Sequence, residues 1–185
     1  MLTIKFFLIG VILLLVVIGD MRNYKVKNSL ILIGVILSFI CSVLEGGINS
    51  LNYWFFGISG PIIILFLLFV FKVLGAGDIK LFSVIGGFFG IHFVLKVIVA
   101  AFVIGAILAI FHFIRHKDLM SRLQYLAKYF SKLLKEKQIK SYYSAEKDGR
   151  NCVIHFTPAI AFSTFLIHFC EKNPEFIQNG LKFIC

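Results

Sequence analysis

Charge is scarce in this 185-residue chain, and acid is scarcer: 15% of the residues are charged, with 9 Asp or Glu against 19 Lys or Arg. A soluble globular domain carries about 25% charge, so these residues cannot clothe an ordinary water-facing surface. Cysteine is thin as well. The four, at 41, 152, 170 and 185, form no CxxC pair and no metal-ligand spacing, which leaves no legible zinc site or disulfide framework and makes them packing residues. No internal repeat or low-complexity segment stands out. What fills the chain is apolar: 59% hydrophobic residues and a mean hydropathy of +0.95 mark a multi-pass membrane protein. A spanning helix uses about 20 residues, so about six spans with short loops fit, and any chemistry sits at or near the bilayer.

Residues 6–19 are wholly uncharged. With residues 2–4 and a snorkelling Lys5 they make a first span over about 2–19. A single Lys before the run and no small-x-small site before Asp20 argue against cleavage as a signal peptide. Further uncharged runs predict spans over about 28–44 and 52–74, the latter with Gly60-Pro61 able to start or kink the helix. From 81 to 114 only Lys96 interrupts 34 residues. One helix of that length would be about 51 Å long against a core of about 30 Å, so two helices, about 79–91 and 93–114, fit better. The break is expected in Gly86-Gly87-Phe88-Phe89-Gly90 before His92, although the same glycines suit close helix packing. The last span is expected over about 152–170, with Pro158 inside it.

Six spans put loops 20–28, 72–80 and 115–151 on one side. These hold 3, 2 and 10 basic residues, 15 of the chain's 19, which places them in the cytosol and both termini outside it. The net charge of +10 then reads as an orientation signal rather than a nucleic-acid footprint. In the longest loop Leu119, Leu123, Leu126, Phe130, Leu133 and Leu134 recur at helical spacing among Lys128, Lys132 and Lys135. This predicts a cytosolic amphipathic helix between the fifth and sixth spans, lying on the anionic leaflet. A solvated helical connector is the plainer alternative. The fold expected is an all-α polytopic protein of the cytoplasmic membrane, a single domain over residues 1–185.

Three acids lie close to the spans in the first two-thirds of the chain: Asp20, Glu45 and Asp78. Asp20 ends the first span and Asp78 starts the fourth, so this topology puts both at one membrane face. Two carboxylates sharing a site cannot both ionise cheaply, and one stays protonated. That suits peptide hydrolysis: the ionised Asp takes a proton from a water attacking the carbonyl, while its protonated partner stabilises the oxyanion and then protonates the leaving amine. Plainer readings stand beside this one. A lone Asp at a helix end is solvated at little cost, and Asp78, after Gly75-Ala76-Gly77, is well placed to N-cap the fourth helix. Gly75 and Gly77 permit a tight bend or the close approach of an extended substrate strand. Lys80 either biases the charge state of Asp78 or snorkels to the interface, and Arg22 and Asn28 either position substrate or anchor the first loop. Glu45 falls on the outer side as a loop residue. His112 and His116, four apart, have a metal-compatible spacing without an evident third ligand.

The segment Gly75-Ala76-Gly77-Asp78-Ile79-Lys80-Leu81 resembles the GxGD signature of the type IV prepilin peptidases, at the start of a middle span as it is there. Upstream, Asp20-Met21-Arg22-Asn23-Tyr24-Lys25-Val26-Lys27-Asn28 resembles the family's other motif: an Asp closing a span, a basic residue two on, and an apolar-Pro-Asn triplet. Lys27 stands here where that Pro is usual. Phe156-Thr157-Pro158-Ala159-Ile160-Ala161 resembles the small-residue stretch opening the family's last helix. The resemblance implies an intramembrane aspartic endopeptidase with Asp20 and Asp78 as catalytic pair, Gly75, Gly77, Lys80, Arg22 and Asn28 in supporting places, and neither metal nor cofactor. It further implies a prepilin or pseudopilin precursor as substrate, its basic leader removed on the cytosolic side. The chain lacks the paired cysteines of the family's methylating region, so it resembles the short, peptidase-only branch and no methyltransferase activity is expected.

Two readings from other classes use the same residues. A small proton-coupled transporter would employ the acids as a relay, although a relay is better served by acids nearer midplane. A non-catalytic assembly factor for a pilus machine keeps the fold without the chemistry.

Overall fold

The computed structural model describes residues 1–23, 26–47, 50–71, 73–115 and 156–173. Among the described residues there are six α-helices and no strand: α1 (Leu2–Asn23), α2 (Asn28–Gly46), α3 (Ser50–Val70), α4 (Ala76–Phe89), α5 (Ile91–Arg115) and α6 (Thr157–Lys172). Four stretches, Leu2–Arg22, Asn28–Gly46, Ser50–Val70 and Ile91–Phe111, are helical, long and apolar enough to cross a membrane. The chain is thus an all-helical membrane protein over its described residues. At 14 and 16 residues, α4 and α6 fall short of the about 20 that a straight span uses. The amphipathic helix expected in the 115–151 loop lies outside the described residues, apart from Arg115 where α5 ends; so do His116 and the expected start of the last span at 152–155. Two compact units are distinguished, residues 1–104 with 155–185 and residues 105–154; the described part of the second is the end of α5.

The shortest of the described helices is enclosed by the others. In α4, Ile79 and every residue from Leu81 to Phe88 are buried, and a helix apolar on all sides needs protein on all sides. It has it, in α1, α2, α3 and α6. The closest approach is to α3. Pro61 has no N–H to bond the carbonyl of Gly57 four residues earlier, yet α3 continues past Pro61, and that carbonyl faces α4. A Cβ on Gly86 would stand 2.0 Å from Gly57 O, and one on Gly57 would stand 2.1 Å from Gly86 O. Two glycines therefore let the helices cross backbone against backbone. Side chains pointing the other way, such as Leu14 and Ile18 of α1, Leu32 of α2 and Ile63 and Leu67 of α3, are exposed. In water such a surface would aggregate; against lipid it is the solvated one.

Helix boundaries depart from the expected spans because hydropathy reports the solvent, whereas backbone hydrogen bonding continues through polar residues. α1 runs past Asp20 to Asn23, so Asp20 lies in its last turn and does not terminate it. α3 stops at Val70, short of 74. The 81–114 run divides at Gly90, whose φ of +84° ends α4 in the left-handed region that glycine tolerates. Gly90 makes the break and Gly86 the close packing, so the glycine cluster serves both purposes at different positions.

Candidate active site

Asp20 closes a stripe. Ile9, Leu13, Val16 and Asp20 recur at steps of four, three and four along α1, and all are buried; this spacing keeps one helix face towards its neighbours. Asp20 is accordingly 9% exposed although it lies three residues from the helix end. Its Oδ2 accepts a hydrogen bond from Thr157 Oγ1 at 3.0 Å. Thr157 is the first residue of α6 and is 1% exposed.

Asp78 is the third residue of α4, with Gly75 as the N-cap in extended conformation. This corrects the expectation that Asp78 itself caps the helix. Its carboxylate turns back beside Gly75, and its own N–H donates to Gly75 O at 3.2 Å. The GxGD glycines each leave room for a specific neighbour. A Cβ on Gly75 would stand 3.2 Å from Asp78 Oδ2, and one on Gly77 would stand 3.1 Å from Val26 Cγ2. Val26 belongs to the segment joining α1 to α2, just beyond Asp20, so Gly77 is where one Asp segment rests on the other. The charge of Asp20 reaches Asp78 from across this contact. The two carboxyl groups thus share one end of the bundle, each beside the N-terminus of a helix, where the backbone dipole favours negative charge.

The supporting residues separate. Lys80 Nζ donates to Asn28 Oδ1 at 3.0 Å, tying α4 to the first residue of α2. Two residues beyond Asp78, Lys80 is about 200° around the helix from it, and a groove of about 470 Å³ lined by Asn28, Val35, Ile58, Ile62, Lys80 and Ser83 opens on that far side. Arg22 is exposed. Glu45, expected as a plain loop residue, is helical and pairs with Lys5. No group of three or more His, Cys, Asp or Glu able to hold a metal ion occurs among the described residues. Thr157 is the contact that sequence reasoning missed. Its signals are a hydroxyl side chain just before Pro158 and its place in the 156–161 stretch that resembles the opening of the family's last helix.

The model of the type IV leader peptidase family matches residues 7–110, more than half of the chain and inclusive of Asp20, Val26, Gly75, Gly77 and Asp78. The chain belongs to this family. It is accordingly a membrane peptidase of the leader-peptidase type, in agreement with the resemblance carried by its two Asp segments. No curated protein and no solved structure matches it. The family match ends before α6, so the contact of Thr157 with Asp20 stands on geometry alone.

Proposed function

We propose that the chain is an aspartic endopeptidase that removes the leader of type IV prepilin-like precursors at the cytosolic membrane face, with Asp20 and Asp78 activating water. The observation that supports this reading is the approach of the two Asp segments, Val26 just beyond Asp20 resting on Gly77 just before Asp78, close enough for the Asp20 charge to act on Asp78. Like charges at such a site favour a state in which one carboxyl holds a proton. The ionised Asp accepts a proton from a water molecule as its oxygen bonds to the scissile carbonyl carbon. The protonated Asp meanwhile hydrogen-bonds the oxygen that becomes negative. Collapse of the tetrahedral intermediate breaks the C–N bond, and the proton passes to the leaving amine. Neither metal nor cofactor enters these steps. Position in the last turn of α1 and the first turn of α4 supports the same reading, because water reaches a helix end at the bilayer border without a deep channel.

The side follows from charge. Loops 20–28 and 72–80, which hold Asp20 and Asp78, and the 115–151 loop, which six crossings would put on the same side, carry 15 of the 19 basic residues, so in this reading that side is cytosolic and both termini lie outside. A precursor with a basic leader ahead of an apolar helix would present its scissile bond at this depth. In this reading α4 and α6 complete six crossings as short elements sheltered by longer helices, in a single domain in the cytoplasmic membrane. The test is leader removal from a prepilin-type precursor by Asp20→Asn and Asp78→Asn enzymes. Both should leave the precursor intact, and cleavage by either at the wild-type rate would refute the assignment.

A further inference from the structure

In the described structure Thr157 binds a proposed catalytic carboxylate from a helix that the family match does not cover. Its Oγ1 lies 3.0 Å from Asp20 Oδ2, and Thr157 is 1% exposed, so water competes poorly for its hydroxyl. A hydrogen bond to a carboxylate, sheltered in this way, is among the stronger neutral-to-charged kinds. The geometry around it is fixed from two sides. Thr157 is the first residue of α6 and Pro158 the second, which holds the backbone in helical φ without needing an N–H there. Phe156, just before, packs its ring against Phe82 of α4 at 6.4 Å and Phe102 of α5 at 5.6 Å between centroids. The start of α6 is therefore anchored to α4, the helix of Asp78, while its hydroxyl reaches to α1, the helix of Asp20.

We infer that Thr157 is a positioning residue: its hydroxyl fixes the rotamer of the Asp20 carboxylate so that it meets the reacting water in register with Asp78. This rests on the catalytic reading given above. A valine at 157 keeps the shape and removes the donor, which loosens the hold on the carboxylate. Misplacement by about 1 Å costs on the order of 100-fold in rate. The loss falls on kcat, because no substrate contact is removed.

The experiment uses purified full-length enzyme and a synthetic prepilin-type precursor, a basic leader ahead of an apolar helix. In Thr157→Val, kcat should fall roughly 10- to 100-fold with KM within about twofold. Thr157→Ser, which keeps the hydroxyl, should recover most of the rate. Ser and Ala leave the same vacated methyl space, so the Thr157→Ser and Thr157→Ala pair decides the question even where the valine enzyme does not accumulate. Equal rates in Ser and Ala, or a wild-type kcat in Val, overturn the inference. Asp20→Asn and Asp78→Asn are run beside them. If those two are inert while the Thr157 variants are unimpaired, only the role of Thr157 is lost; if they cleave normally, the catalytic reading itself is lost.

Discussion

At one end of the helix bundle Glu45 pairs with Lys5, whose ammonium also donates to Phe88 O at 3.2 Å, and Glu171 pairs with Lys96 at 2.6 Å. At the other end Asp20 and Asp78 meet each other's charge, and Asp20 accepts a hydrogen bond from the Thr157 hydroxyl. Acid facing lysine ties helices together; acid facing acid works against folding and is kept where chemistry uses it. The first arrangement resembles a set of staples. Lys5 joins α1 to α2 and to the last turn of α4, where a cation also suits the helix dipole. The second holds two carboxyl groups near each other by means of everything around them: the buried stripe of α1, the glycine-lined contact with Val26, and the start of α6. The two ends should therefore answer mutation in opposite ways, one through rate and the other through stability.

The largest effect is expected at the Asp end. Neutralising either carboxyl in Asp20→Asn or Asp78→Asn should lower cleavage at least about 100- to 10,000-fold, the scale of a lost general acid or base. The thermal unfolding midpoint in detergent should stay unchanged or rise, since a like-charge repulsion is removed. A variant that loses stability in step with rate would make the Asp end another structural tie and erase the contrast. Next in size is the contact between the two segments. Gly77→Val sets branched carbon against Val26, where a Cβ alone would already stand at 3.1 Å. The displaced Asp78 should lose about 10-fold or more in kcat, and Val26→Ala in the same chain should recover part of it. If Val26→Ala brings no recovery, Gly77 matters for some reason other than the approach of that residue.

Much of this contrast was legible because acid is so rare. With nine acidic residues in the chain, an Asp at each of two span borders stood out, and hydropathy alone supplied their depth. Contacts at long separation were not legible. Thr157 and Asp20 are 137 residues apart and Lys5 and Glu45 are 40 apart, and no periodicity encodes which helix ends adjoin. Local geometry was missed by small margins. The pattern before Asp78 called for a cap, but which residue takes it depends on where the chain leaves extended conformation, and that is Gly75. Pro61 signalled a possible break, yet α3 passes through it, and the Gly57 carbonyl that Pro61 cannot bond lies against a glycine of the neighbouring helix. The glycines from 86 to 90 were recognised as a break or a packing surface, and a one-dimensional reading cannot divide those two tasks between Gly90 and Gly86.

At the staple end the effects should be smaller and confined to stability. Lys5→Met removes a cation whose side chain is 12% exposed, leaving Glu45, at 33%, without it. Loss of a hydrogen-bonded charge in such surroundings costs about 1–3 kcal/mol, read as a lowered unfolding midpoint, with kcat on the precursor within about twofold of wild type. Glu45→Gln added to Lys5→Met should return part of the loss, because the stranded charge is then gone. A fall in kcat larger than the fall in folded protein would mean that the staple shapes the distant site.

The smallest effect tests whether burial sets the strength of these ties. Lys96 and Glu171 form the same kind of pair as Lys5 and Glu45, yet their side chains are 58% and 44% exposed. Where water or lipid headgroups solvate both partners, the attraction is screened and holding two long side chains in one geometry costs entropy, so such pairs contribute only about 0.2–1 kcal/mol. Lys96→Gln, Glu171→Gln and the double variant should therefore unfold within that margin of wild type and cleave at the wild-type rate. A Lys96→Gln loss as large as that of Lys5→Met would show that the staples draw on helix register rather than on the shelter of the charge. The distinction between the two ends would then rest on which helices are joined, with burial a consequence of that joining.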